Sequence, residues 1–146
     1  MINPVYVHSV AAFFYKKRLV KVASILDRIN ILITGCHIPA CVYVGENVQF
    51  KHWGRGVIIH HKARIEDDVV IMPNVVIGQD FDNTRPDALL QSIVIDKGAI
   101  IGAGAVILAR GVFRVGKNSV IGANAVVKKN VGDAQTVVGV PGKILK

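Results

Sequence analysis

A histidine followed by two glycines is the strongest candidate for chemistry in this sequence. His52 lies in the run KHWGRGVI, and Gly54 and Gly56 come directly after it. Imidazole is the side chain whose ordinary pKa lies near neutrality, so it can remove a proton from a hydroxyl at pH 7. Glycines let a backbone approach a substrate and offer N–H groups to a developing oxyanion. We predict that His52 is a general base; the alternative is a solvated loop histidine.

Three other histidines suggest either turns or metal binding. His60 and His61 are adjacent, and His37 precedes them. We predict that His60 is a turn residue whose ring hydrogen-bonds to the backbone, because polar groups in folded chains usually find such a partner. A three-histidine metal site is the alternative. We predict that the protein needs no metal.

The two cysteines and the N-terminal region limit the class of protein. Cys36 and Cys41 are five residues apart, which fits neither a CxxC redox pair nor a zinc site. Reduced thiols in a cytoplasmic protein are therefore predicted. The start lacks the pattern of a signal peptide, and the apolar stretch 19–35 is too charged to span a bilayer.

Composition and charge favour thin, closely stacked β-layers and anionic partners. The chain has 146 residues, of which 51% are hydrophobic and only 6% aromatic. Its formal charge is +8, but the basic residues are dispersed except at 16–18 and 128–129. This pattern argues against nucleic-acid binding. It allows the N-terminal part to contact an anionic glycan or, peripherally, the inner face of a membrane.

The apolar pattern divides the chain near residue 36. Between Val5 and Thr34, apolar residues recur at steps of three and four, which predicts helix. A break near 16–19 suggests two short helices, and Gly35 is a suitable stop. We therefore predict a helical arm over 1–36, followed by a second domain over 37–146.

A six-residue period predicts the architecture of the second domain. Each hexapeptide would form one short strand and one corner, and three would complete a triangular coil with the aliphatic residue pointing inward. These inward positions are Ile38, Val44, Phe50, Ile59, Ile65, Ile71, Ile77, Ile95, Ile101, Ile107, Val115, Ile121 and Val127.

The period is interrupted at three places. Three extra residues follow Phe50, and two extra residues follow Ile107. Between Ile77 and Ile95 the spacing of eighteen keeps the phase, but the intervening residues are polar and include Pro86. We predict a protruding loop over 78–92, where function tends to reside, and a C-terminal tail after Val131.

Several motifs resemble those of the hexapeptide-repeat acyltransferases. The runs IIGAGAVIL, VGKNSVIGANAVV and VVGVPGKIL carry the resemblance over residues 36–146. The run FKHWGRGVIIHHKARIEDDVVI is similar to the active-site stretch of serine O-acetyltransferases. It is closer still to a form seen in capsule and exopolysaccharide O-acetyltransferases. The resemblance implies an all-β, left-handed parallel β-helix with a short N-terminal α-helical segment, assembled as a homotrimer.

The same resemblance implies a co-substrate and its binding residues. Acetyl-CoA would lie in a groove along the coils, with its pantetheine amides bonded to the backbone at Ala103 and Ala123. Lys128, Lys129 and Lys143 match positions that meet the CoA phosphates or adenine, where cations suit the negative charge. Tight corner packing is the alternative for the alanines, and a solvated surface charge is the alternative for each lysine.

Two departures from the serine O-acetyltransferase pattern bear on the acceptor. Those enzymes have an acidic residue directly before the base and another fifteen residues earlier, where this chain has Lys51 and His37. Serine as acceptor is therefore in doubt, and His52 needs another partner: a backbone carbonyl, Asp80 or Asp82. The loop 78–92 also lacks the histidine that galactoside acetyltransferases carry there.

Three further residues are candidates for contacting the acceptor. Trp53 can stack on a sugar ring or be covered at a subunit contact. Asn74 can face the acceptor pocket or bond to the coil backbone. Asp80 is the third candidate.

The predicted function is transfer of acetyl from acetyl-CoA to a sugar hydroxyl in bacterial surface polysaccharide biosynthesis. His52 would remove the proton and no acyl-enzyme would form. The alternatives are a serine O-acetyltransferase of cysteine synthesis, a metal-dependent hydratase and a non-catalytic β-helix scaffold.

Overall fold

The structure, a computed structural model, describes residues 3–81 and 89–145. It begins with two antiparallel-packed α-helices, α1 (Pro4–Lys16) and α2 (Val20–Thr34). The Asn3 side chain caps α1 by accepting a hydrogen bond from the Val5 N–H. Gly35 ends α2 in the left-handed conformation, with φ 70°. The predicted break between two helices and the predicted stop at Gly35 are both confirmed.

The two helices bury a face of small and polar residues. Ala11 of α1 and Ala23 of α2 are fully buried against each other's helix and the first coil. The buried amide of Asn30 donates to the carbonyl of Pro4, and the buried ring of His8 lies 3.3 Å from the carbonyl of Ile38. Burial lowers the pKa of His8, although backbone hydrogen bonding and Asp27 oppose this effect. The Asn30 bond thus joins the two helices, and the His8 contact joins the helical arm to the first coil.

In the described part of the chain fourteen short strands follow, and they form three sheets that enclose one core. The first face consists of β1 (Tyr43–Val44), β4 (Ala63–Ile65), β7 (Ser92–Ile95) and β10 (Val112–Val115). The second face consists of β2 (Gln49–Phe50), β5 (Val70–Ile71), β8 (Ile100–Ile101), β11 (Val120–Ile121), β13 (Thr136–Val138) and β14 (Lys143–Ile144). The third face consists of β3 (Ile58–Ile59), β6 (Val76–Gln79), β9 (Val106–Ala109) and β12 (Val126–Val127).

Every strand pair is parallel except β13 with β14, and successive strands of the chain lie on successive faces. The chain therefore winds as a triangular coil, and the predicted left-handed parallel β-helix is confirmed. Each coil covers the apolar side of its neighbour, so the stacking itself buries the core.

The thirteen periodic positions point inward, as the six-residue rhythm predicts. Eleven of them are at most 3% exposed, whereas Val44 and Phe50 in the first coil are partly buried. Strand register aligns them in columns: Ile71 pairs with Ile101, and Ile101 pairs with Ile121. At about 25 cal/mol for each Å² of apolar surface, burial of these side chains is the main stabilising contribution.

The spacing of eighteen residues between Ile77 and Ile95 does not represent a full turn. Ile77 lies on the third face and Ile95 on the first, so only one corner separates them. The two ends of the predicted loop 78–92 are wrong, because residues 78–79 belong to β6 and Ser92 begins β7. Residues 82–88, with Asp82 and Pro86, lie outside the described part of the chain.

The C-terminal region continues the coil beyond Val131, where the tail was predicted. β13 still pairs in parallel with β11, and only β14 turns back to pair antiparallel with β13. The antiparallel strand covers the last open edge of the second face. Neither helix among the described residues is long and apolar enough to cross a bilayer.

Candidate active site

The loop that carries His52 has an unusual backbone. A single 3-10 turn, Lys51–Gly54, follows β2, and within it His52 and Trp53 have φ values of 50° and 64°. Residues other than glycine rarely adopt this left-handed region, and each such residue costs about 1–3 kcal/mol of strain. The turn accommodates the three extra residues after Phe50 without shifting the next strand out of register, and it leaves the imidazole exposed. Strain of this kind is common where a side chain must be aimed at a substrate.

Packing beneath the loop fixes that backbone. Gly54 is buried with φ 63°, and a Cβ there would lie 2.8 Å from Cys36 Sγ. The N–H of Gly56 donates to the carbonyl of Gly35 at 2.9 Å. Gly56 is therefore not available as an oxyanion donor, contrary to the prediction. Glycine at this position lets the Asn74 side chain pack directly on the backbone, since a Cβ would meet Asn74 Oδ1 at 2.1 Å.

An open cavity of about 390 Å³ lies beside His52. It is lined by Asn3, Gln49, Phe50, Lys51, His52 and Trp53. The indole of Trp53 is 43% exposed, so its face is available to a ligand or a second subunit. Within residues 3–81 and 89–145, the imidazole of His52 has no hydrogen-bond or ionic partner.

The corner between the second and third faces, which we call the histidine corner, is built by a ladder of backbone bonds. Asn74 N donates to Arg55 O, Gly104 N to Pro73 O, and Asn124 N to Ala103 O, at 2.8–2.9 Å. His52, Asn74, Ala103 and Ala123 therefore share this corner in four successive coils, so Ala103 lies two coils and Ala123 three coils beyond His52.

The two alanines leave room and hydrogen-bonding capacity at the histidine corner. Ala123 is exposed and Ala103 is partly exposed. In the described part of the chain, neither alanine N–H donates to another backbone group. Their N–H groups are therefore available to a ligand that lies along the coils.

Asn74 combines parts of both predicted roles. It has φ 60°, its side chain is exposed, and its Oδ1 lies over the backbone of Gly56. The same packing occurs where Asn124 lies over Gly104 and Asn118 over Gly98. Asn74 is thus a corner residue of the coil that also faces solvent near His52.

Asp80 lies at a different corner from His52, between the third and first faces. Its Oδ2 binds Arg110 Nη2 at 2.7 Å and Lys128 Nζ at 3.1 Å. Loss of hydration would raise the pKa of Asp80, but the bonds from Lys128 and Arg110 outweigh it and the pKa is lowered. Within one chain, Asp80 is therefore a salt-bridge residue that does not orient His52. The other carboxylate considered, Asp82, lies outside the described residues.

The three predicted phosphate-binding lysines line one groove at the C-terminal end. Lys128 and Lys129 follow β12, Lys143 lies on β14, and Pro141 and Gly142 complete the floor of a cavity of about 380 Å³. The structure thus brings together residues that are fifteen positions apart in sequence. Of these three lysines, Lys128 alone has a salt-bridge partner among the described residues, namely Asp80.

The remaining histidines and cysteines have structural surroundings. His60 Nδ1 accepts from the Lys62 N–H at 3.1 Å, and its ring stacks on His61. The predicted turn role of His60 is thereby confirmed. Burial, with the nearby His61 and Lys62, lowers the pKa of His60. No group of metal-binding side chains occurs among the described residues.

Burial raises the pKa of the Cys36 thiol to about 12, so Cys36 is protonated and unsuited to nucleophilic attack at neutral pH. Cys41 is also a free thiol, although it is exposed. Burial raises its pKa as well.

Sequence reasoning missed two residues of these surroundings. Arg110, the main partner of Asp80, belongs to the two-residue interruption after Ile107, and that interruption was the available signal. Gln49 accepts a hydrogen bond from Lys51 Nζ at 2.6 Å in the His52 cavity. The alternation of side chains along a strand predicts that Gln49 points outward from β2, but it does not predict that Gln49 lines the His52 cavity.

Comparisons with known proteins agree with this geometry. The chain is 33% identical over 144 residues to a serine acetyltransferase of Bacillus pumilus and 32% identical over 148 residues to that of Staphylococcus xylosus. Each match covers 99% of this chain. It covers 63% and 64% of the respective relatives, so the chain spans less than two thirds of their length.

Solved structures give the same result. A serine acetyltransferase from Brucella abortus in complex with coenzyme A matches with TM-score 0.85 and 30% identity, over 97% of this chain and 54% of that one. The serine acetyltransferase of Neisseria gonorrhoeae matches with TM-score 0.87 and 26% identity, over 98% of this chain and 52% of that one. Over nearly its whole length the chain is similar to part of these serine acetyltransferases, and it shares their fold.

The comparisons bear on one part of the predicted family. The comparisons do not support a placement nearest to capsule and exopolysaccharide O-acetyltransferases, because the relatives found are serine acetyltransferases. No protein-family model matches the chain.

Proposed function

We propose that this chain transfers an acetyl group from acetyl-CoA to a hydroxyl, with His52 as the general base. The observation that carries the proposal is the exposed imidazole, held by a strained turn at the same corner as Ala103 and Ala123. Homology to serine acetyltransferases supports the same reaction class.

The proposed mechanism is direct. The imidazole of His52 removes the hydroxyl proton while the oxygen attacks the carbonyl carbon of the thioester. The C–S bond then breaks, and the leaving thiolate takes the proton from the imidazolium. No acyl-enzyme is required, and the protonated Cys36 thiol is not suited to forming one.

We place CoA along the coils, from the histidine corner toward the C-terminal groove. The free N–H groups of Ala103 and Ala123 would bond to the pantetheine amides, and a large side chain at either position would obstruct the path. Lys129 and Lys143 would bind the phosphates as charge-assisted donors. The Lys128 ammonium contributes less, since Asp80 already binds it.

Replacement of the groove lysines tests this placement. We expect Lys129→Ala and Lys143→Ala each to raise the Kd for CoA about five- to tenfold, the usual effect of losing one hydrogen bond to a charged group at a partly exposed site. Lys128→Ala should have a smaller effect. Calorimetric titration with CoA measures all three, and Lys117→Ala, exposed at another corner, is the control. Unchanged affinity in both Lys129→Ala and Lys143→Ala would place the phosphates elsewhere.

The identity of the acceptor has two candidates. Free serine is favoured by the relatives, which are named for that acceptor. A sugar hydroxyl of a surface polysaccharide or its precursor is favoured by two local features: the exposed indole of Trp53, and a cavity lined by no carboxylate to bind an ammonium. An aromatic face suits the C–H surface of a sugar ring.

An acceptor-dependent thioester assay tests the reaction itself. The purified chain is incubated with acetyl-CoA and either serine or a panel of glycosides, and release of the CoA thiol is measured. We expect at least one acceptor to accelerate release, with O-acetyl product detected by mass spectrometry. CoA binding without acceleration by any hydroxyl compound would instead support a non-catalytic scaffold.

We also propose that the working form is a homotrimer, with each active site completed at a cleft between subunits. The helices support assembly because Leu32 is 83% exposed, and Phe13 and Ile25 are more than half exposed. Many exposed large apolar residues lie on these two short helices, and contiguous apolar surface, unlike a single exposed residue, commonly marks a contact. We separately propose that the basic residues 16–18 contact the anionic face of a membrane peripherally.

A further inference from the structure

The described carboxylates are segregated from the histidine corner. Six of them lie at the corner between the first and second faces, where several cap neighbouring coils or pair with basic residues; these are Glu46, Glu66, Asp67, Asp68, Asp96 and Asp133. The other two are Asp80, bound by Arg110, and Asp27, whose Oδ2 accepts from the Ala40 N–H. Among residues 3–81 and 89–145, no acid therefore lies at the corner that carries His52.

The charged groups beside His52 are cations. Lys51 lines the cavity, and its ammonium donates to the neutral amide of Gln49. Arg55 follows the turn and is exposed at the same corner. In the described chain neither side chain forms a salt bridge. An ammonium without an acidic partner at the edge of an open cavity attracts an anion and repels another ammonium.

We infer that the acceptor carries a negatively charged group and no ammonium, and that Lys51 binds that group while His52 activates the hydroxyl. This inference rests on the proposed acetyl transfer and concerns the acceptor's class. The shared chemistry is a carboxylate near a hydroxyl. It is met by a small hydroxy acid and by a sugar such as a uronic acid.

A matched set of acceptors separates these charges. 3-Hydroxypropionate retains the carboxylate and hydroxyl of serine without its ammonium, whereas ethanolamine retains the ammonium and hydroxyl without the carboxylate. A glucuronide and the corresponding glucoside test the sugar source. We expect kcat/KM to be at least tenfold higher for 3-hydroxypropionate than for ethanolamine, and higher for the glucuronide than for the glucoside. If ethanolamine is equal or better, the inference is wrong even though acetyl transfer stands.

Reversal of one charge supplies the decisive comparison. Lys51→Glu should lower the ratio of 3-hydroxypropionate to ethanolamine kcat/KM at least tenfold, whereas Lys21→Glu should leave it unchanged. Lys21 makes the same charge change at the opposite end of the helix pair, where α2 begins. CoA affinity and thermal stability, measured for both variants, show that the fold and the groove are intact. A constant ratio in Lys51→Glu would overturn the inference.

A chemical readout does not depend on catalysis. Iodoacetate and iodoacetamide alkylate an exposed imidazole, and they differ by one negative charge. The ratio of carboxymethylation to carbamidomethylation at His52, mapped by mass spectrometry, should fall at least threefold in Lys51→Glu and stay constant in Lys21→Glu. If no acceptor is acetylated, the proposed function fails, but this ratio still decides whether the cavity selects an anion. An unchanged ratio contradicts anion selection.

Discussion

His52→Ala is expected to lower kcat for acetyl transfer by at least about a hundredfold, the usual scale of removing a general base. The hydroxyl would then lose its proton only to water, while CoA still binds in the groove. Thioester release at saturating acetyl-CoA and acceptor measures the loss, and CoA titration checks that the groove is intact.

His61→Ala is the matched control for that substitution. It removes another exposed imidazole, in the turn after β3, and should retain near-normal kcat. Turnover of His52→Ala within a few-fold of wild type would exclude His52 as the base. A comparable loss in His61→Ala would show that the effect is not specific to the strained turn.

Ile101→Ala is expected to destabilise the fold by about 2–5 kcal/mol, since it removes a fully buried side chain and leaves a cavity between two coils. Ile101 lies between Ile71 and Ile121 in one inward column, so both neighbouring coils lose contact. Urea unfolding followed by circular dichroism measures the change in the free energy of unfolding.

Ile100→Ala provides an internal comparison within the same strand. Its side chain points outward and is 42% exposed, so the loss should stay below about 1 kcal/mol. Equal destabilisation by the two substitutions would contradict the inward stacking of one residue in six. It would also contradict the positions of the corners, and hence of the site, because these follow from the inward stacking.

The repeat could be predicted from sequence because it reflects only local geometry. An aliphatic residue every sixth position can be buried only if each hexapeptide makes a strand and a corner, so the sequence determined the inward column from Ile59 to Val127. The left-handed turn at the end of α2 was equally local, since Gly35 tolerates φ 70° at little cost. His52 was identified for the same reason: its imidazole falls where the period breaks.

Other features depended on contacts between distant residues. The sequence did not reveal that Ile77 and Ile95 lie one corner apart. Their spacing of eighteen residues is a multiple of six, so the six-residue period continues as if no residues had been inserted. Asp80 was a candidate partner of His52 until the coil placed it one face away, in contact with Arg110 and Lys128. Such pairings depend on which corner each coil presents, and the repeat leaves that unspecified.

The sequence by itself therefore determined the coil, its core and the imidazole, since each follows from spacing along the chain. Only the tertiary structure decided which charges surround that imidazole. Among residues 3–81 and 89–145, it placed six carboxylates at one corner and Lys51, with no acidic partner there, at another. The physical reason is that charge acts through space, over distances that winding of the chain creates and sequence separation does not record.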